Sequence, residues 1–328
     1  MKKEYIKKIL IIRFGAIGDL LHTSEIFRSI KRKYPQIEIH YLAFKLPAQI
    51  IQNDRDISKV IIAKDKSYKT LWELAKDFRK ENYDLILNLQ PSNRTKFLCL
   101  FSCAKKVLTY KKSFKFHAVE NFWQTAQKFF KNLDLKQELE LNIPQNAIDK
   151  VKQLLPQDRK IVTINVFAAA ARQGRRWKKE NFKELALKLI EEYNCTVVVS
   201  GAPDEVKDLE DFKGLNENIL VLAGQLSLIE SCALYSLSDL MISPDTGPLH
   251  LASATDGPIC IGLYGAMPIA RTGVWGMKHY NISADLPCVP CNRRKCKLKK
   301  GQYNPCLEAV SVENVLNIIK NEIWTKNS

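Results

Sequence analysis

Two series of short Ile-, Val- and Leu-rich runs, each run followed by a longer segment of helical period, constrain this chain more than any other feature. Continuous apolar runs of this kind belong to strands buried on both faces, and the helical segments between them supply the crossovers of a parallel sheet. The first series predicts strands at 8–13, 38–43, 59–63, 84–89 and 106–109, and the second at 160–166, 196–200, 220–223, 240–243 and 259–263. Between strands, Leu71, Leu74, Ala75 and Phe78 fall at i, i+3, i+4 and i+7, as do Phe182, Leu185, Ala186 and Leu189, so each set forms one stripe that a sheet can cover. An amphipathic segment at 117–133 closes the first series. A polar stretch at 145–159, with Pro144 just before it and Pro156 within it, separates it from the second. The 328 residues therefore read as two doubly wound α/β domains, 1–155 and 156–328. The last helix, 311–324, is expected to pack back on the first domain. Ligands of such sheets bind beyond the carboxyl ends of the strands, which makes the cleft between the domains the expected site.

Composition narrows the function classes. With 46% hydrophobic and 26% charged residues, the chain is neither disordered nor of low complexity. Lys2, Lys3, Lys7 and Lys8 precede an apolar run, but Arg13 and Asp19 interrupt it before a secretory core is reached, so a buried first strand is expected there. No window is long and apolar enough for a membrane span. Cys99, Cys103, Cys195, Cys232 and Cys260 sit singly in apolar segments, as reduced core thiols do, which points to the cytoplasm. The 51 Lys and Arg against 35 Asp and Glu give a net charge of +16, which calls for an anionic partner without saying which.

Three turns carry chemistry. Arg13-Phe14-Gly15-Ala16-Ile17-Gly18-Asp19 lies where the first strand meets the first helix. It differs from a dinucleotide fingerprint, since Gly15-x-x-Gly18 has no third glycine and no acidic residue ends the second strand. Asp19 fits either a helix cap or a catalytic carboxylate. Ser243-Pro244-Asp245-Thr246-Gly247-Pro248-Leu249-His250 forms a second strand-to-helix turn, suited to a diphosphate or simply to capping a helix. In Arg172-Gln173-Gly174-Arg175-Arg176-Trp177, three arginines within five residues read as an anion clamp or as solvated surface charge.

Taken together, these turns resemble glycosyltransferase family 9, the heptosyltransferases. The likeness extends through Ile11 to Ser24, Tyr83-Asp84-Leu85-Ile86, His117-x-x-Glu120, Arg175-Arg176-Trp177 and Asp245 to Gly265. The resemblance implies a GT-B architecture of two Rossmann-like domains, the first for the acceptor and the second for the nucleotide sugar. It implies an inverting transferase that moves a heptose from ADP-heptose to the lipopolysaccharide inner core and needs no cofactor. Asp19 then matches the catalytic base, Gly18 lets the donor sugar approach, and Arg175 takes the place of the family's basic residue on the diphosphate. Asp245, Thr246, Gly247 and His250 match the donor-binding turn. Val166-Phe167-Ala168-Ala169-Ala170-Ala171 departs from the family's Pro-Gly donor turn, so phosphate contacts there would be to backbone N–H groups only. Another nucleotide sugar or a protein acceptor is the alternative within the fold, and a basic nucleic-acid-binding protein the alternative outside it. No nucleic-acid-binding motif spacing supports the latter.

Cys288, Cys291, Cys296 and Cys306 form a separate cluster that suits a structural zinc or iron, a reduced basic loop or a disulfide. The charge is also unevenly shared. Residues 1–155 hold 30 basic and 16 acidic residues, whereas 156–328 hold 21 and 19. By resemblance the basic domain receives the acceptor, so the expected partners are an anionic lipopolysaccharide precursor and the inner face of the cytoplasmic membrane, with peripheral attachment.

Overall fold

The computed structural model describes residues 6–167, 175–293, 296–298 and 304–324. Within it the chain forms two compact units, residues 1–142 and 143–328. Residues 143–155, grouped with the first domain from the sequence, lie in the second unit. There the helix Gln145–Lys152 joins the second unit through Lys150, whose ammonium is 2.5 Å from a Glu230 carboxylate oxygen.

The first unit is built on a five-stranded parallel sheet: β1 (Lys8–Ile12), β2 (Glu38–Phe44), β3 (Lys59–Ala63), β4 (Leu85–Asn88) and β5 (Val107–Thr109), in the order β3-β2-β1-β4-β5. Side chains alternate across the central strand. Leu10 and Ile12 point to the face covered by the helices Tyr68–Glu81 and Asn93–Phe101, where they share a core with Leu71, Ala75, Phe78, Leu98 and Cys99. Ile9 and Ile11, on the opposite face, are also wholly buried, so a run with no polar position is what this strand required.

The second unit holds a six-stranded parallel sheet: β6 (Ile161–Asn165), β7 (Thr196–Ser200), β8 (Ile219–Val221), β9 (Leu240–Pro244), β10 (Ile259–Tyr264) and β11 (Tyr280–Ser283), ordered β11-β10-β9-β6-β7-β8. The predicted strands appear with small shifts at their ends. β11 does not stand out in the sequence, because it is a short, half-polar, partly exposed edge strand beside β10. Phe182, Leu185, Ala186 and Leu189 of the helix Lys179–Tyr193 cover one face of this sheet.

The last helix, Val312–Ile318, and the π turn that follows it, Ile319–Ile323, belong to the second unit. Val312, Val315, Leu316 and Ile319 are buried in the second unit's own core, and Trp324 packs against Tyr193 at 5.0 Å. The helix Lys179–Tyr193, far back along the chain, covers this apolar stripe. Trp177 seals the arrangement: its ring meets Phe182 edge-on and its Nε1 donates to the Val310 carbonyl at 2.7 Å. Cys103 corrects an expectation. It is exposed, in a positive-φ turn after the helix Asn93–Phe101, whereas Cys99, Cys195, Cys232 and Cys260 are buried as expected. Among the described residues, no helix is long and apolar enough to cross a membrane.

Candidate active site

Both candidate turns sit at the carboxyl ends of central strands. In the first unit, β1 runs into Arg13 and Phe14 before α1 (Ile17–Leu21) begins, which places Gly18 and Asp19 in the first turn of α1. Gly15 makes this turn possible. Its φ is +150° and an added Cβ would lie 3.2 Å from Pro47 Cγ, so a side chain would meet both backbone strain and crowding.

Asp19 is held by a residue that the sequence reading passed over. Arg13 Nη2 lies 2.5 Å from Asp19 Oδ2, while Arg13 Nη1 donates to the Leu89 carbonyl at 2.8 Å and the guanidinium stands 5.2 Å from the centre of the Phe122 ring. Arg13 is therefore buried and fixed on three sides, whereas the Asp19 side chain remains 43% exposed. The result is a carboxylate aimed by a rigid cation, with one oxygen engaged and the group open to solvent. The signal was present in the sequence: an arginine ending a strand of pure Ile and Leu has to find an anion or a carbonyl. Close by, the His22 and His117 rings meet edge-on at 5.6 Å, and His117 caps the helix Ala118–Gln127 by accepting from the Val119 N–H.

The same end of the sheet carries a cavity of about 350 Å³ lined by Phe14, Lys66, Tyr68, Gln90, Ser92, Asn93 and Arg94. Lys66 Nζ stands over the Phe14 and Phe44 rings at 5.7 and 5.0 Å, so its charge is presented at the cavity wall.

In the second unit the loop after β9 folds into a tightly bonded turn. Asp245 is only 4% exposed, and two cationic or polar groups grip it. Arg175 Nη1 lies 2.7 Å from Asp245 Oδ2 and donates to the Asp245 carbonyl at 2.9 Å, while His250 Nε2 is 3.3 Å from Oδ1. The helix Gly247–Ser253 carries His250 on its buried side. Thr246 Oγ1 is 3.0 Å from Ser243 Oγ, and Asn165 Nδ2 donates to the Phe167 carbonyl at 2.8 Å and approaches Ser243 Oγ at 3.4 Å. Asn165, at the end of β6, is a second residue the sequence reading missed, a polar side chain closing an otherwise apolar strand. Beneath the turn, burial pushes the Tyr264 phenol well above its ordinary range and the Asp245 carboxylate adds to the effect, so Tyr264 is a neutral donor, here to the Thr272 carbonyl.

The structure thus joins Arg175, Asp245, Thr246, Gly247 and His250 in one turn, and Gly18 and Asp19 in another. Of the proposed arginine clamp, Arg175 turns inward to Asp245 and Arg176 stacks on Phe167 at 4.9 Å. Arg172, Gly174 and residues 168–171 lie outside the described residues. Cys288, Cys291, Cys296 and Cys306 line one cavity of about 20 Å³, and burial together with the neighbouring Cys296 and Cys291 raises the Cys306 thiol. Among the described residues, no three His, Cys, Asp or Glu are placed together to hold a metal ion.

With this geometry in place, comparison with known proteins identifies the lineage. The sequence profile of glycosyltransferase family 9 (heptosyltransferase) matches residues 71–302. The lipopolysaccharide core heptosyltransferase OpsX of Haemophilus influenzae is 26% identical over 281 residues, which is 80% of each chain. Among solved structures, a family 9 glycosyl transferase from Veillonella parvula superposes with a TM-score of 0.81 at 19% identity, over 95% of this chain and 96% of that one. The ADP-heptose lipopolysaccharide heptosyltransferase II of E. coli superposes with a TM-score of 0.79 at 18% identity, over 98% of this chain and all of that one. Two parallel-sheet α/β domains of this kind make up the GT-B architecture. A profile match over most of the length, on a fold that carries Asp19 and the Asp245 turn at strand ends, makes this chain a member of glycosyltransferase family 9.

Proposed function

We propose that this enzyme transfers a heptose from ADP-heptose to the inner core of lipopolysaccharide, with inversion at the anomeric carbon and Asp19 as general base. The observation that carries this reading is the Arg13–Asp19 pair, a half-exposed carboxylate held in one orientation by a buried guanidinium. Asp19 takes the proton of the acceptor hydroxyl as that oxygen attacks the anomeric carbon. The bond to the diphosphate breaks on the opposite face and leaves ADP. Negative charge grows on the diphosphate as the bond breaks, so Arg175 and the N–H groups of the Thr246–Gly247 turn would stabilise the transition state more than the bound donor. Asp245 and His250 act behind them by fixing the turn. Support for the substrates comes from the relatives named above, one a lipopolysaccharide core heptosyltransferase and another an ADP-heptose enzyme. The cavity with Lys66 and Arg94 on its wall suits an acidic acceptor. Work on a lipid-borne acceptor would place the enzyme in the cytoplasm, attached peripherally to the inner face of the membrane.

Thermal stabilisation across a panel of nucleotides tests the donor. A ligand at a hundred times its Kd adds roughly 2.7 kcal/mol, so ADP should raise the melting temperature well above UDP or GDP at equal concentration. Equal protection by all three would remove the ADP assignment. Transfer should also survive chelation, and loss of turnover restored by a divalent cation would overturn that part of the mechanism. Elemental analysis decides whether the four clustered thiols take up a structural zinc or iron: about one ion per chain supports it, and less than about 0.1 removes it.

A further inference from the structure

The first unit carries an aromatic and basic face that the transfer chemistry leaves unused. On the helix Tyr68–Glu81, Tyr68, Trp72, Lys76 and Arg79 recur every three or four residues and so form one stripe. Phe97, Leu100 and Phe101 of the helix Asn93–Phe101 border it. The rings interlock, with Tyr68–Phe97 and Trp72–Phe101 centroids at 5.2 and 5.3 Å, so the stripe is a fixed surface. It is also a wet one: Leu100 is 73% exposed and Tyr68 53%. Water-facing apolar side chains of this size gain by leaving water, and neighbouring ones define a contact surface more clearly than scattered ones.

The charge around the face selects the partner. Lys76 Nζ and the Arg79 guanidinium stand 5.7 and 5.4 Å from the centre of the Trp72 ring. Residues 64–106 contain ten basic and five acidic side chains. Three of those acids are paired with cations, Glu81 with Lys8 and Lys59, Asp84 with Lys105 and Asp77 with Lys80. Tryptophan and tyrosine with long cationic stems beside them suit the boundary between anionic headgroups and acyl chains. The face is also continuous with the acceptor cavity. Tyr68 belongs to both, and the helix that carries Phe97, Leu100 and Phe101 begins at Ser92, Asn93 and Arg94 on the cavity wall.

We propose that this face docks on an anionic lipid bilayer, with Trp72 and Leu100 at the headgroup boundary and Lys76 and Arg79 on the phosphates, so that the sugar head of a lipid-anchored acceptor enters the cavity from the membrane side. The proposal rests on the reading that the acceptor is lipid-borne, and its test separates the two. The full-length protein is sedimented with phosphatidylcholine vesicles with or without phosphatidylglycerol, in the absence of donor and acceptor. Binding is expected only to the anionic vesicles and should weaken with salt. Each unit charge near such a surface counts for about 1 kcal/mol, and Lys76→Glu changes the charge by two, so it should lower partitioning about thirtyfold. Leu100→Ser should lower it severalfold, while Leu215→Ser, at an exposed leucine of the second unit, should leave it unchanged. Both first-unit variants should melt like the parent and turn over a delipidated acceptor at the parent rate, losing rate only on vesicle-embedded acceptor.

The proposal is overturned if the parent ignores anionic vesicles, if Lys76→Glu and Leu100→Ser bind as the parent does, or if they alter the oligomeric state instead, which would assign the face to a protein. Vesicle binding without heptosyl transfer would refute the proposed function alone. Transfer to delipidated acceptor without vesicle binding would refute the docking face alone.

Discussion

Each unit ends a central strand near an aspartate paired with an arginine, yet burial within the two pairs is opposite. In the first unit the arginine is buried and the carboxylate of Asp19 half-exposed; in the second, the carboxylate of Asp245 is buried and gripped by both Arg175 and His250. A carboxylate that reaches solvent can take a proton from an incoming hydroxyl. One enclosed by its partners can only hold those partners in place. The same pair of residue types is therefore read as a reactive group in one turn and a structural clamp in the other, and the distinction can be tested by substitution.

The largest effect is expected at Asp19. Asp19→Asn keeps an acceptor for Arg13 but removes the base, and should lower kcat/KM by about 10² to 10⁴-fold with the melting temperature and protection by ADP nearly unchanged. Retained turnover would take Asp19 out of the mechanism and erase the contrast. Asp245→Ala should behave the other way. By leaving Arg175 and His250 without their common partner it should cost about 2–4 kcal/mol of stability, read from the denaturant midpoint, and activity should follow the loss of donor binding. A cost below about 0.5 kcal/mol would put Asp245 in the same class as Asp19.

Arg175→Lys comes next. A lysine reaches as a point charge without the guanidinium fork, so kcat should fall about tenfold while donor KM changes less. A rise in donor KM with kcat unchanged would assign Arg175 to donor binding rather than to the transition state. The smallest effect concerns pH. Burial, helped by the charge of Lys278, pushes His279 down to about 4, and its Nδ1 accepts from the Cys260 N–H. Its folded value lies below the unfolded one of about 6.5, so protons bind the unfolded chain more readily. The stability His279 supplies is complete above pH ~6.5 and is lost as pH falls toward about 4. His279→Gln should flatten that part of the stability profile without shifting the pH dependence of turnover, and an unchanged slope would refute the assignment.

Much of the fold was legible because strands buried on both faces have to be apolar throughout. β1, β6, β7 and β9 come close to this form, with buried polar side chains such as Thr163 and Ser243 hydrogen-bonded inside the fold, and the helices over them keep their 3.6-residue stripe. β11 was not legible, because an edge strand with one covered side can be Tyr-Asn-Ile-Ser and resemble a loop. The last helix showed its apolar face but not its destination, since a stripe records only that something covers it. Gly18 and Asp19 of the first turn and Asp245, Thr246, Gly247 and His250 of the second were named from the sequence, as was Arg175, which reaches the second turn from another segment, whereas Arg13 and Asn165 were missed because each looked like the tail of a strand.

What the sequence determined by itself was the alternation of strands and helices, the two-sheet plan and the residue types at the two turns, because periodicity and glycine placement are local properties of the chain. Tertiary structure alone decided which aspartate is open and which is enclosed. Exposure and ion pairing depend on side chains brought from far along the chain: Leu89 and Phe122 fix Arg13, and Arg175 reaches back to a turn seventy residues further on. No local pattern records such meetings, and they distinguish the candidate base of the first unit from the clamp of the second.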